Sequence, residues 1–205
     1  VEEPSLRTVP REQVTASLRA ALQLDSFQVE SSSRGRRQLL TLDLPFGGSC
    51  TFFIYFPPGY QGDARGGKSW PLLLFLHSMH SRIDGDNNVF YESDTPLRLL
   101  MGDERCPRAL REDFVVVAPQ CPADPERSDG GGVWLRKGWY ETSSYDPAVE
   151  AMIAHLLLEV CSCCNVDRHR ISVTGTSMGA YACLELANRW PGLFSAAAPV
   201  ARLCC

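Results

Sequence analysis

Hydrophobic positions along this chain follow two different rhythms, and the switch between them falls near residue 70. Before it, Leu40, Leu42 and Leu44 alternate with Thr41 and Asp43, the period of a strand buried on one face. Pro45 and Gly47-Gly48 close that strand; Thr51 to Phe56 forms a second one, stopped by Pro57-Pro58-Gly59. The two are expected to pair as an antiparallel hairpin at a sheet edge. Beyond residue 70 the apolar runs become continuous. Leu72 to Leu76, Phe114 to Ala118, Ile171 to Thr174 and Ser195 to Ala198 suit strands covered on both faces. Helical rhythm lies between them. Asp146 caps and Pro147 opens a helix whose Val149, Met152, Ile153, Leu156 and Val160 recur at 3.6-residue spacing. Cys183, Leu184, Leu186 and Ala187 do the same between Ala180 and Trp190. Strands alternating with helices predict a parallel, doubly wound sheet of the α/β class. Ahead of it, Arg11 to Leu22 reads as a short amphipathic helix with Val14, Leu18 and Leu22 on one face, and residues 30–37 as polar linker. The expected division is therefore 1–37, helix and linker, and 38–205, the core.

Composition narrows the class without changing the fold. A chain of 205 residues that is 44% apolar and 21% charged is long enough for one domain with a real core. A net charge of −4 gives no reason to expect nucleic acid or an anionic membrane as partner. Arg34-Gly35-Arg36-Arg37 is too short a basic run to change that, and it reads as solvated loop. No apolar run approaches the length that spans a bilayer. Val1-Glu2-Glu3-Pro4 is no signal peptide, and no N-x-[ST] sequon occurs. The nine cysteines are odd in number and scattered, unlike a disulfide framework. Cys161-Ser162-Cys163-Cys164 invites a zinc reading, but a structural site needs a second ligand pair, and Cys204-Cys205 brings no histidine with it. Free, partly buried thiols of a cytoplasmic protein are expected, with no metal.

The chemistry concentrates at Gly175-Thr176-Ser177-Met178-Gly179. A bare G-x-S-x-G is a weak signal, yet this one follows a β-branched strand and precedes a helix, the context of a nucleophile elbow. Such a turn holds a serine hydroxyl out at the top of the sheet beside a helix N-terminus that favours negative charge. Gly175 and Gly179 lack the Cβ that would clash there. One oxyanion donor would be the N–H of Met178. The other would come from the loop after Leu72 to Leu76, where His77-Ser78-Met79-His80 places the N–H of Ser78 or Met79 within reach. From Met178 to Cys205 there is no histidine and no aspartate, so the acid and histidine that usually follow the serine are missing from this stretch. Of the upstream histidines, His155 is mid-helix and His169 precedes its strand. His80 sits at the correct edge as a possible base for Ser177.

Several further segments share an order with one known group. Pro71 to His77, Asp86-Asn87, Val117-Ala118-Pro119-Gln120-Cys121-Pro122, Val166-Asp167-Arg168-His169-Arg170-Ile171, Gly175 to Gly179 and Arg189 to Pro199 are its landmarks. From Thr51 to Val200 the chain resembles the polyhydroxybutyrate-depolymerase and feruloyl-esterase-like group of α/β-hydrolases, which includes predicted peptidases. The resemblance implies an α/β-hydrolase fold lacking its C-terminal part, with the triad acid and histidine beyond residue 205. It implies a serine hydrolase of small or polymeric carboxylic esters working through an acyl-enzyme on Ser177, without a cofactor. A serine peptidase of the same fold, or a non-catalytic relative that acts by binding, are the alternatives. The chain departs from the group in carrying Ser78 where His-Gly is usual. If that position needed a left-handed backbone, serine would be strained there.

Overall fold

The computed structural model describes Leu18, Ala21, Leu22 and residues 35–62, 68–81, 95–122 and 147–200, apart from the side chains of His80 and Pro147. Six strands form one sheet: β1 (Arg36–Asp43), β2 (Ser49–Phe56), β3 (Trp70–Leu76), β4 (Val115–Pro119), β5 (Val166–Thr176) and β6 (Ala196–Val200). Among the described residues four helices accompany them: α1 (Pro96–Leu100), α2 (Arg108–Asp113), α3 (Pro147–Cys163) and α4 (Met178–Arg189). The strand order is β1-β2-β4-β3-β5-β6. β1 and β2 form the antiparallel edge hairpin, and β2 runs antiparallel to β4. β4, β3, β5 and β6 are mutually parallel. The alternating and continuous apolar runs thus become the antiparallel and parallel parts of the sheet.

Each face of the sheet has its own core. Phe52, Ile54, Leu72, Leu74, Val117 and Val173 point to the face covered by α3 and α4, whose Met152, Ile153, Leu156, Cys183 and Leu186 meet them. Leu18 and Leu22 are buried in the same cluster; the rest of the helix expected over Arg11 to Leu22 lies outside the described residues. Phe53, Tyr55, Phe75, Val116 and Ala118 face the other way, toward Leu97 and Leu100 of α1. Fully burying one such side chain contributes on the order of 2 kcal/mol, so the sheet is held from both sides. Thr95 caps α1, its Oγ1 accepting from the Arg98 N–H at 3.3 Å.

Four sequence expectations are corrected. Arg36 and Arg37 are strand rather than linker; they alternate half-buried and exposed on an edge strand, where charged side chains remain in water. β5 begins at Val166, so His169 lies inside the strand, in its lower half. β6 spans Ala196–Val200, slightly later than the alanine run suggested, and all five of its residues are exposed. Leu184 is exposed, because α4 buries the stripe through Gly179, Ala182, Cys183 and Leu186 instead.

The lower end of β5 is stapled by its own side chains. Asp167 accepts from Arg170 Nε at 2.7 Å and from the His169 N–H at 2.9 Å. Arg168 Nη2 donates to the Cys161 carbonyl at the end of α3. The seven described cysteines are free and buried, and no cluster of potential metal ligands occurs among the described residues. Burial pushes the Cys50 and Cys161 thiols up to about 12, which keeps them as apolar filling rather than as reactive thiolates.

Candidate active site

Sheet register assembles the site. Leu76, the last residue of β3, pairs with Gly175 near the end of β5. The loop that leaves β3 at His77 therefore starts beside the turn that leaves β5. A Cβ on Gly179 would land on the Leu76 carbonyl, with the His77 carbonyl oxygen 2.9 Å away. A Cβ on Gly175 would land on the Gly179 carbonyl and reach 2.9 Å from the Leu76 oxygen. Only the absence of side chains at both positions lets the two strand ends and the first turn of α4 close on one another.

Ser177 occupies that turn with φ 52° and ψ −111°, the one non-glycine residue with positive φ among the described residues. Such a conformation costs on the order of 1–3 kcal/mol and persists only where the surroundings impose it. Here they do. The Ser177 N–H donates to the Val200 carbonyl at 2.9 Å, and its carbonyl accepts from Ala180 and Tyr181 at 2.9 and 3.3 Å. The side chain makes no capping bond to the helix behind it and remains half-buried at the sheet edge. The N–H of Met178, the first residue of α4, has no intrahelical acceptor and faces the end of the helix where negative charge is favoured.

The histidines divide sharply. His77 is fully buried. The Cys121 N–H donates to its Nε2 at 2.9 Å, and its Nδ1 lies 2.8 Å from the Ser78 carbonyl. Both ring nitrogens are thus engaged by neighbouring backbone, which leaves no lone pair for a serine proton. His155 faces Glu159 at 3.9 Å on α3. His169 sits eight residues before Ser177 on an extended strand, roughly 25 Å away. His80 belongs to the 3-10 turn Met79–Ser81, and its side chain lies outside the described residues. Ser78 is buried with an ordinary backbone angle, so serine in place of glycine brings no left-handed strain. Trp134, Trp139 and Tyr140, aromatic residues of the long stretch between Pro119 and Asp146, lie outside the described residues as well.

The structure brings Ser177 and Met178 to the same edge as the backbone of Leu76 and His77, with Ser78 and Met79 following directly. The sequence reading missed the side-chain network beneath them. Gln120 Nε2 lies 3.1 Å from both His77 Nε2 and the Ser81 carbonyl. Its only sequence signal was the Pro119-Gln120-Cys121 landmark, which named the residues without giving them a task.

No protein-family model and no curated protein matches the chain. Solved structures do. A thermostable esterase aligns over 78% of this chain and 40% of its own, at 22% identity and a TM-score of 0.58. A ferulic acid esterase of the anaerobic fungus Anaeromyces mucronatus aligns over 84% and 62%, at 16% identity and 0.53. S-formylglutathione hydrolase of Staphylococcus aureus aligns over 80% and 58%, at 16% identity and 0.52. The chain has the α/β-hydrolase fold, and it spans about 40% to 62% of the length of these neighbours.

Proposed function

We propose that this chain carries the nucleophile half of a serine hydrolase site that cleaves carboxylic esters through an acyl-enzyme on Ser177. The observation that carries the reading is the strained Ser177 backbone, wedged between two glycines against the Leu76–His77 backbone. A serine is not held at φ 52° for packing alone, since a glycine would adopt that angle without strain. That the structural neighbours are esterases and a hydrolase supports the same class.

In this reading Ser177 Oγ attacks the ester carbonyl and the carbonyl oxygen becomes an oxyanion. The N–H of Met178 and an N–H of the β3 loop, from Ser78 or Met79, hold it. Collapse expels the alcohol and leaves the acyl group on Ser177; attack by water then restores the serine. A histidine must take the serine proton and return it to the leaving alcohol, oriented by an acid. His77 is committed to backbone, so the base is a histidine beyond residue 205, with His80 as the alternative within the chain. Cofactors have no part in this chemistry. Substrates are small or polymeric esters, and among the described residues no helix is long and apolar enough to cross a membrane.

Hydrolysis of a panel of p-nitrophenyl esters and peptide anilides by the full-length protein, with the downstream histidine in place, tests the reading by comparison with its Ser177→Ala variant. Ester turnover lost in Ser177→Ala is the expected result. Turnover of anilides alone would assign a peptidase, and ester turnover that survives Ser177→Ala would remove the serine from the mechanism.

A further inference from the structure

We propose that His77 is a positioning residue: its imidazole, held with its proton on Nδ1 by the end of β4, turns the Met79 N–H toward Ser177 as the second oxyanion donor. The inference rests on the nucleophile reading of Ser177 and chooses between the two loop donors which that reading leaves open.

The tautomer follows from the hydrogen bonds. A backbone N–H can only donate, so the 2.9 Å contact from Cys121 N–H requires a lone pair on His77 Nε2. The ring proton is then on Nδ1, which donates to the Ser78 carbonyl at 2.8 Å. The Ser81 N–H donates to the same carbonyl at 3.2 Å. Gln120 adds a second tie, its amide nitrogen 3.1 Å from the Ser81 carbonyl. The Ser78 carbonyl is thus tied to the end of β4 through the His77 ring and the Ser81 carbonyl directly through Gln120, and His77 is fully buried.

Sheet order turns this into direction. β3 lies between β4 and β5, with the His77 ring bonded at the β4 end and Ser177 at the β5 end. The Ser78–Met79 peptide is planar and trans, so its N–H points opposite to its carbonyl. A Ser78 carbonyl drawn toward β4 sends the Met79 N–H toward β5 and the elbow. Among the described residues nothing accepts from that N–H. Removing the clamp would let the peptide rotate and withdraw the donor, although no atom of His77 touches the substrate.

Two readouts on the full-length protein, with its downstream histidine in place, test this. Nitrogen-15 NMR of the imidazole reads the tautomer directly: a proton on Nδ1 of His77 is expected, and a proton on Nε2 would overturn the clamp. The second readout is the rate at which a fluorophosphonate labels Ser177 in the wild type, His77→Asn and His77→Gln. Asn places an amide N–H where Nδ1–H stands and keeps the side-chain bond to Ser78; Gln reaches the Cys121 end and leaves the Ser78 carbonyl with the Ser81 N–H alone. Both lose the ring's packing, so a purely structural role would slow both alike. The expected result is labelling of the Asn variant within about threefold of wild type and of the Gln variant roughly a hundredfold slower, the scale on which a misplaced donor acts. Equal rates in the two variants would refute the proposal. A wild type that is unlabelled at Ser177 while its Nδ1 is protonated would refute the nucleophile reading and, with it, the oxyanion role of the His77 bond, leaving that bond purely structural.

Discussion

Replacing Gly179 by alanine tests the elbow where the structure is least forgiving. The added methyl would overlap the carbonyl carbon and oxygen of Leu76 and approach the His77 oxygen to 2.9 Å. All three are backbone atoms, two in the last residue of a central parallel strand and one in the residue after it, so no side chain can swing aside. Ordinary contact requires 3.4–4 Å, and the end of β3 and the first turn of α4 must part by roughly 1.5 Å to restore it. Overpacking of this kind costs about 3 kcal/mol, a fall in Tm of about 6–12 °C for a domain of this size. The same displacement moves the oxyanion loop away from Ser177, and a 1 Å misplacement costs about a hundredfold in reactivity. Thermal melting and the rate of fluorophosphonate labelling report the two effects separately. Gly59→Ala is the contrasting control: unlike Gly179 it has positive φ, 79°, but nothing lies within 4 Å of the added Cβ. It should cost only the backbone strain, about 1 kcal/mol, and leave labelling unchanged. A Gly179→Ala protein that melts and labels like wild type would refute the steric account of the site.

Three further outcomes are expected. Ser177→Gly should abolish labelling while raising stability by about 1 kcal/mol, because glycine adopts the positive φ without strain; an unchanged or lower melting temperature would contradict the claim that the elbow stores strain. Asp167→Asn should cost about 1 kcal/mol at neutral pH. The Arg170 guanidinium first, and then the His169 N–H, hold the Asp167 carboxyl below its usual value. Its stabilising effect is therefore complete above the ordinary aspartate range and fades as pH falls through the depressed value, so wild type and variant should converge in acid; a difference that persists there would refute the assignment. Glu150 is buried on α3 with no hydrogen-bond partner for either carboxylate oxygen among the described residues, and Glu150→Met should raise the melting temperature, a fall counting against the unpaired carboxylate as a liability.

The elbow was legible in the sequence because sterics, not taste, dictate it: Gly175 and Gly179 are the only residue type that closes β5 and α4 onto Leu76. The parallel strands were legible for a related reason, since Leu72 to Leu76 and Val115 to Ala118 must be apolar on both faces to lie mid-sheet. Edges were harder to read. Arg36 and Arg37 resembled linker because an edge strand tolerates charge, and β6 started later than its alanines implied. Leu184 fell outside the buried stripe because helical spacing alone does not say which of two overlapping stripes meets the sheet. The concern over Ser78 disappeared once its backbone was seen to need no left-handed angle. His77, Gln120 and Cys121 were not legible as a unit, because the bonds joining them cross from the end of β3 to the end of β4. Polar networks of this kind depend on tertiary placement, and no local periodicity announces them.

The central claim, that Ser177 is a nucleophile, is tested most directly by mass spectrometry of the full-length protein quenched after brief exposure to an activated ester such as p-nitrophenyl acetate. A single added acetyl group that maps to Ser177, and that is absent from Ser177→Ala, is the expected result. Acetylation confined to lysines and the N-terminus, identical in wild type and Ser177→Ala, would contradict it.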